Sequence, residues 1–262
     1  MSGDALATLA EEVQAAGLIE AGSAGVAMCS GGADSAALLA GLAGAAGAER
    51  VVALHLNYGL RADSGADEEA CAALCERLGV ELVVERPDAT GEGNVQARAR
   101  ELRYESAERL RAQRGLAWIA TGHTRTDLAE TVVYRLATSP GRRALLGLPA
   151  RRGVVVRPLL DLGRDRVREL VAEAGLPFRD DATNDQPLYA RNRIRNEVMP
   201  VLREIGPAAE ATIAETRAEL AEEAETLRRV ADEALEATGA AAAGAMPAEA
   251  LTELDPALRR LA

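Results

Sequence analysis

The 262-residue chain contains no lysine: all 30 of its basic residues are arginine. Every mechanism that runs through a protein lysine is thereby excluded, including a Walker A phosphate loop, the strand lysine of protein kinases and Schiff-base catalysis. Aromatic residues make up only 2% against 48% hydrophobic overall. The apolar content is too high for general disorder, and the core must be assembled from Ala, Leu and Val. Cysteine is scarce, with Cys29, Cys71 and Cys75 alone. An odd count in a chain of this length points to a reducing compartment rather than a disulfide framework. Cys71 and Cys75 lie four apart and share a helix face, a spacing unlike the C-x-x-C of redox or iron–sulfur sites. The N-terminus carries acids and no basic leader pattern, and the longest apolar run, Ala36 to Ala48, is too short to span a bilayer. The expectation is a soluble, cytoplasmic protein with no membrane partner.

The net charge of −11 is unevenly spread. Residues 1–90 carry −10 and residues 204–262 carry −8, whereas residues 91–203 carry +7. An acidic protein with a basic middle is either ordinary surface scatter or the electrostatic footprint of a polyanion.

Residues 4–20 have helical spacing. The run Gly25 to Cys29 reads as a strand, followed by a glycine loop and an Ala/Leu helix to Gly47. Further strands are expected at Val51–Leu56, Glu81–Val84, Leu116–Ala120 and Val154–Val156. Helices are expected over 66–78, 94–114, 127–137 and 163–174. Near-continuous apolar strands separated by helices specify an α/β fold, a parallel sheet with helices on both faces. From Glu204 the composition shifts to Ala, Glu and Leu, which predicts a long helix to about Thr238. A break at 239–244 follows, and then a second helical pattern over 254–261. The expected division is a first domain over 1–203 and a helical linker with the start of a second helical domain over 204–262.

The first strand turns into its helix through Ser30-Gly31-Gly32-Ala33-Asp34-Ser35. Glycines at such a corner let the backbone approach an anion closely, with its N–H groups pointing outward at the start of a helix. The hydroxyls of Ser30 and Ser35 add donors. A bare Asp34 carboxylate would repel phosphate, and it makes sense if a magnesium ion bridges the two. The hexapeptide lacks both the Walker A spacing and the G-x-G-x-x-G of dinucleotide folds. At the end of the fourth strand, His123, Asp127 and Glu130 occupy i, i+4 and i+7 and fall on one side of a helix start. There they can hold magnesium, orient a nucleotide or accept a proton. Near the end of the basic region, Arg191 and Arg195 lie one helical turn apart and can fork around phosphates.

The glycine loop resembles the pyrophosphate-binding loop of the N-type ATP pyrophosphatases. Within that group three further stretches resemble the tRNA lysidine synthetase family. Leu54-His55-Leu56-Asn57-Tyr58-Gly59-Leu60-Arg61 is similar to V-N-H-G-L-R, with Tyr58 where His is usual. Gly93-Asn94, Ala99-Arg100-Glu101 and Arg103-Tyr104 are similar to G-N-x-E-x-x-A-R-x-x-R-Y. Thr121-Gly122-His123 with Asp127 and Glu130-Thr131 is similar to G-H-x-x-x-D-x-x-E-T, departing from the commoner form at Thr124, Thr126 and Leu128. The segment Asp180-Asp181-Ala182-Thr183-Asn184, Tyr189 and Arg191 to Val198 with Pro200 is similar to D-x-[ST]-N…Y-x-R-N-R-I-R-x-x-[VI]-[LI]-P.

The resemblance implies ATP-dependent ligation of free L-lysine to C2 of the wobble cytidine in the CAU anticodon of isoleucine tRNA. An adenylated tRNA is the intermediate, and the products are lysidine, AMP and pyrophosphate. Under it, Ser30, Gly31, Gly32, Ala33, Asp34 and Ser35 bind the pyrophosphate of ATP, and Asp34 and Asp127 serve Mg2+ or ATP. Glu130 recognises the lysine ammonium, His123 assists activation, and Arg103, Arg191 and Arg195 contact tRNA or phosphate. Two alternatives remain at this stage: a tRNA thiolation enzyme with the same loop, and a non-catalytic nucleotide- or RNA-binding relative.

Overall fold

The computed structural model describes residues 2–59, 64–88, 95–179 and 190–237. Helix α1 (Ser2–Ala15) precedes strand β1 (Gly25–Met28), helix α2 (Ala33–Ala46) and strand β2 (Val51–Leu56). Helix α3 (Ser64–Leu78), strand β3 (Glu81–Glu85), helix α4 (Val95–Gln113) and strand β4 (Trp118–Ala120) continue the alternation, followed by helix α5 (Arg125–Thr138). A short α6 (Arg142–Leu145) leads into β5 (Arg151–Arg152), β6 (Val155–Val156) and α7 (Arg164–Glu173). The chain then forms α8 (Ala190–Arg193), one π-helical turn (Ile194–Val198), α9 (Met199–Ile205) and α10 (Ala209–Ala237).

The strands form one sheet in the order β3-β2-β1-β4-β6-β5. All neighbours are parallel except β5 and β6. The α/β fold read from the sequence is the fold observed. The antiparallel edge strand β5 was not expected, because two arginines carry no apolar signal for a strand. Likewise α1 ends at Ala15 rather than near residue 20, where the chain turns through Ala16 and Gly17.

Residues on one sheet face join α1, α2, α3 and α7 in the larger core, which holds Leu9, Leu38, Leu42, Leu74, Val167 and Leu170. The opposite face packs Val26, Val52, Leu54 and Ile119 against Ala107 and Leu110 of α4. Side chains alternate along each strand, so both faces are apolar and both need a helical cover. Because the order reverses direction at β1, the C-terminal ends of β1 and β4 open a crevice between adjacent connections, where open sheets of this kind bind ligands.

Helix α10 packs on α5. Leu128 and Val132 of α5 share a cluster with Ile213 and Ala214, and the Thr126 hydroxyl donates to Glu210 Oε2 at 2.6 Å. The departures at Thr126 and Leu128 thus fit this chain's own packing: both side chains are buried and face the helices covering α5 rather than the crevice. Arg61, Gly93-Asn94, residues 180–184, Tyr189 and the second helical pattern over 254–261 lie outside the described residues.

Candidate active site

The glycine loop lies at the crevice. Gly31 has φ of 86°, a conformation open to glycine at little cost. A Cβ there would also stand 3.1 Å from the Asp67 carbonyl of α3. The Ser35 hydroxyl donates to the Gly32 carbonyl at 2.8 Å and lies 3.3 Å from the Ser30 hydroxyl. The Arg179 N–H donates to the Gly31 carbonyl at 2.8 Å. These contacts engage the Gly31 and Gly32 carbonyls, and the first N–H groups of α2 have no acceptor within the helix. From the facing loop, Gly122 approaches so closely that a Cβ would sit 2.7 Å from the Asp34 carbonyl oxygen.

Asp127 and Glu130 project from α5 toward three guanidinium groups. One Asp127 oxygen accepts the Thr124 N–H and hydroxyl, both at 2.9 Å, and so caps α5. The other accepts Arg164 Nη2 at 2.9 Å and Arg191 Nη2 at 3.0 Å. Burial opposes its charge, but Arg164, Arg191 and the Thr124 N–H outweigh burial and hold its carboxyl below the usual range. Glu130 is fully buried. Its Oε1 accepts Arg195 Nε at 2.7 Å and Arg164 Nη1 at 3.2 Å. Its Oε2 accepts Arg195 Nη2 at 3.0 Å and Arg191 Nε at 3.3 Å.

Arg164 is the link between this cluster and the glycine loop, because its Nε also lies 3.5 Å from Asp34 Oδ2. Burial disfavours its charge, but Asp127, Glu130 and Asp34 together hold its pKa above the ordinary arginine value. Asp34 is pushed the other way. Burial raises its pKa, with Arg164 opposing and the Asp127 charge adding to the rise. Arg164 thus reaches both carboxylates through different nitrogens, Nε toward Asp34 and Nη2 toward Asp127, which places hard oxygen donors on two sides of one guanidinium. Among the described residues no group of three or more His, Cys, Asp or Glu is arranged to hold a metal. Two carboxylates suit magnesium, which takes one or two from protein and completes its shell with phosphate oxygens and water.

His123 stands beside the pair, its Nδ1 2.8 Å from the Thr121 hydroxyl. Burial pulls its imidazole down to about 4, and the charges of Arg157, Arg191 and Arg100 add to the fall against Asp127. The ring is neutral at pH 7 and acts there as a hydrogen-bonding group rather than a charge.

These groups border a cavity of about 880 Å³ that also takes in Leu54, His55, Tyr58, Arg103 and Tyr104. Arg103 lies on α4 and borders the same cavity, beside Tyr104 in sequence, over whose ring the Arg100 guanidinium sits at 5.2 Å. Tyr58 donates its hydroxyl to the Ala99 carbonyl at 2.7 Å, so the residue replacing the usual His ties β2's exit to α4.

The fold therefore brings the Ser30–Ser35 loop, Arg103, His123, Asp127 and Arg195 to one crevice, with Glu130 fully buried against Arg164, Arg191 and Arg195. Arg191 and Arg195 bind the two carboxylates directly, and an ammonium reaching Glu130 would take the place of a guanidinium. Sequence reasoning missed Arg164, whose only signal is its place at the start of α7 after Gly163. Cys71 and Cys75 share α3, as their spacing implies, and Cys71 Sγ also lies 3.3 Å from Cys29 Sγ, a neighbour that spacing along the chain could not show.

The chain matches the PP-loop domain family over residues 7–202. It is 41% identical over 209 residues to the tRNA(Ile)-lysidine synthase of Thermus thermophilus, covering 78% of this chain and 40% of that protein. It is 36% identical over 233 residues to the synthase of Thermobifida fusca, covering 84% and 69%. The chain thus spans half or less of the length of several curated relatives it matches. Among solved structures, the U34-tRNA thiolase NcsA of Methanococcus maripaludis superposes with a TM-score of 0.68 at 16% identity, over 84% of this chain and 80% of that one. The NH3-dependent NAD synthetase of Campylobacter jejuni superposes at 0.50, also with 16% identity, over 84% and 95%. At that identity both share the fold alone. From its PP-loop crevice, and from its relatives at 36–42% identity, the chain belongs to the tRNA(Ile)-lysidine synthase family of PP-loop proteins.

Proposed function

We propose that this chain ligates free L-lysine to C2 of the wobble cytidine in the CAU anticodon of isoleucine tRNA, at the expense of ATP. ATP adenylates the C2 oxygen of cytidine and pyrophosphate leaves. The amine of lysine then attacks C2 and AMP leaves, giving lysidine. The observation that carries this reading is the meeting of the glycine loop with the Asp34–Arg164–Asp127 chain at the sheet's crevice. Ser30 to Ser35 bind the diphosphate through main-chain N–H groups and hydroxyls. Asp34 and Asp127 would hold Mg2+, which neutralises charge on the phosphates. Arg164, which bridges the two carboxylates, would with Mg2+ held there offer its guanidinium to the phosphates.

Glu130 recognises the ammonium of lysine, in the site where Arg164, Arg191 and Arg195 now supply the positive charge. The arginines released from the carboxylates, together with Arg103, take phosphate oxygens of ATP or tRNA. His123, neutral at working pH, hydrogen-bonds the reacting groups. Single-stranded anticodon bases can be splayed into such an edge and held there. In this reading residues 1–203 form the first domain, and 204–262, which contain α10, are a helical linker with the start of a second helical domain.

Incorporation of labelled lysine into isoleucine tRNA in the presence of ATP and Mg2+ tests the reading. Lysine-dependent release of AMP and pyrophosphate is the expected result. Sulfur transfer without lysine dependence would replace it with a thiolation reading, and nucleotide binding without turnover would replace it with a non-catalytic one.

A further inference from the structure

We infer that Cys29 and Cys71 form a reversible disulfide that switches off nucleotide binding by the glycine loop. Both side chains are buried, and their sulfurs lie 3.3 Å apart. Closing to a bond of about 2.05 Å needs an approach of little more than 1 Å. His55 Nδ1 lies 3.0 Å from the Cys29 carbonyl and 3.3 Å from Cys71 Sγ. A carbonyl only accepts, so Nδ1 carries the proton and can also donate to the Cys71 sulfur. The hydrogen bond shared with Cys71 lowers the Cys29 thiol against the opposing effect of burial, and the Gly31 backbone helps. Cys29 is accordingly the nucleophile of the pair. Cys75, one turn further along α3, is pushed up to about 12 by burial and is inert by comparison. Cys29 and His55 both border the crevice cavity, which gives a small oxidant its route to the pair.

The oxidant is of the hydroperoxide class. The Cys29 thiolate attacks the peroxide: an S–O bond forms, the O–O bond breaks, and the alcohol or water leaves after taking a proton. Sulfur is oxidised by two electrons and the peroxide reduced by two. Cys71 then attacks the sulfenic sulfur, and its thiol proton leaves with the hydroxyl as water. A dithiol reverses the bond by exchange and is itself oxidised to a disulfide.

The consequence follows from position. Cys29 immediately precedes Ser30, and its N–H is held to the Leu54 carbonyl at 2.9 Å. Cys71 lies one helical turn after Asp67, whose carbonyl Gly31 already approaches. Drawing Cys29 toward α3 therefore moves the loop that must meet the phosphates, and hydrogen bonds to phosphate weaken steeply with displacement.

The inference rests on the loop binding ATP as proposed above, and its test separates the two. Protein treated with hydrogen peroxide is digested without reductant and mapped by mass, and ATP affinity is measured before treatment, after it, and after dithiothreitol. The expected result is a Cys29–Cys71 cross-linked peptide, formed more slowly with ATP present. ATP binding weakens by about tenfold or more and recovers with reductant. Cys71→Ser binds ATP normally and keeps that affinity after peroxide, and Cys75→Ser behaves as wild type. Absence of the cross-link, or a cross-linked protein with unchanged affinity, overturns the switch. Equal loss in wild type and Cys71→Ser overturns it too, because the damage then lies elsewhere. Reduced protein that binds no ATP refutes the loop reading, and the switch with it; the mass map, which still shows the cross-link, tells that failure from the others. The map needs no variant, so a Cys71→Ser that fails to fold leaves it decisive.

Discussion

Arg195 grips Glu130 with two parallel hydrogen bonds, Nε to Oε1 at 2.7 Å and Nη2 to Oε2 at 3.0 Å, across 65 residues of sequence. This fork geometry is available to arginine and not to lysine. Arg164 and Arg191 approach the same carboxylate. The lysine-free composition thus has a local use: three planar guanidiniums share two buried carboxylates.

Glu130→Gln keeps the shape but removes the charge that three arginines surround. A broken buried pair typically costs about 3–5 kcal/mol, and urea unfolding of the variant should show a loss in that range. A variant within about 1 kcal/mol of wild type would mean that the cluster contributes little to the fold.

Asp127→Asn retains an acceptor for the Thr124 N–H but loses the charge facing Arg164 and Arg191. The folded state should persist with a melting point a few degrees lower. Adenylation, followed as pyrophosphate release with tRNA, should fall by about a thousandfold. Near-normal turnover would remove Asp127 from the catalytic groups.

Gly122→Ala places a methyl 2.7 Å from the Asp34 carbonyl, a main-chain atom that cannot swing aside. The two loops must part. ATP dissociation should rise by about tenfold or more with circular dichroism unchanged. Unaltered affinity would show that the spacing of these loops is not set by this contact.

The imidazole of His123, at about 4, lies below its ordinary 6.5. Between those values the unfolded chain binds more protons than the folded one. The contribution is therefore full above pH 6.5 and is lost as the pH falls toward 4. Because His123 borders the cavity and keeps some contact with water, the loss should be about 2 kcal/mol. His123→Gln should reduce the acid-side fall in stability by that amount; identical pH profiles would refute the assignment.

Arg103→Ala removes one cation from the α4 wall. If it meets a tRNA phosphate, the slope of log affinity against log salt should become shallower by about 1. Filter binding at several salt concentrations measures it, and an unchanged slope would take Arg103 out of the RNA contacts.

Much of this arrangement is legible along the chain. The β1 loop, the His123–Asp127–Glu130 spacing and the alternation of apolar strands with helices are local patterns, dictated by backbone geometry within a dozen residues. Arg191 and Arg195 are legible as a helical pair, but not what they hold. Arg164 is marked only by its place at a helix start, which does not say what it binds, and nothing in the spacing of three cysteines pairs Cys29 with Cys71. Two charged residues at β5 are a strand because β6 lies beside them.

The sequence by itself determined the elements, the fold class and the identity of the loop, because hydrogen bonding, side-chain periodicity and glycine's backbone freedom act over short stretches. The tertiary structure alone decided the partners. Which guanidinium neutralises which carboxylate, which thiol meets which, and which groups share a crevice depend on segments 34–65 residues apart being carried to one edge of the sheet, where burial makes each unpaired charge too costly to leave alone.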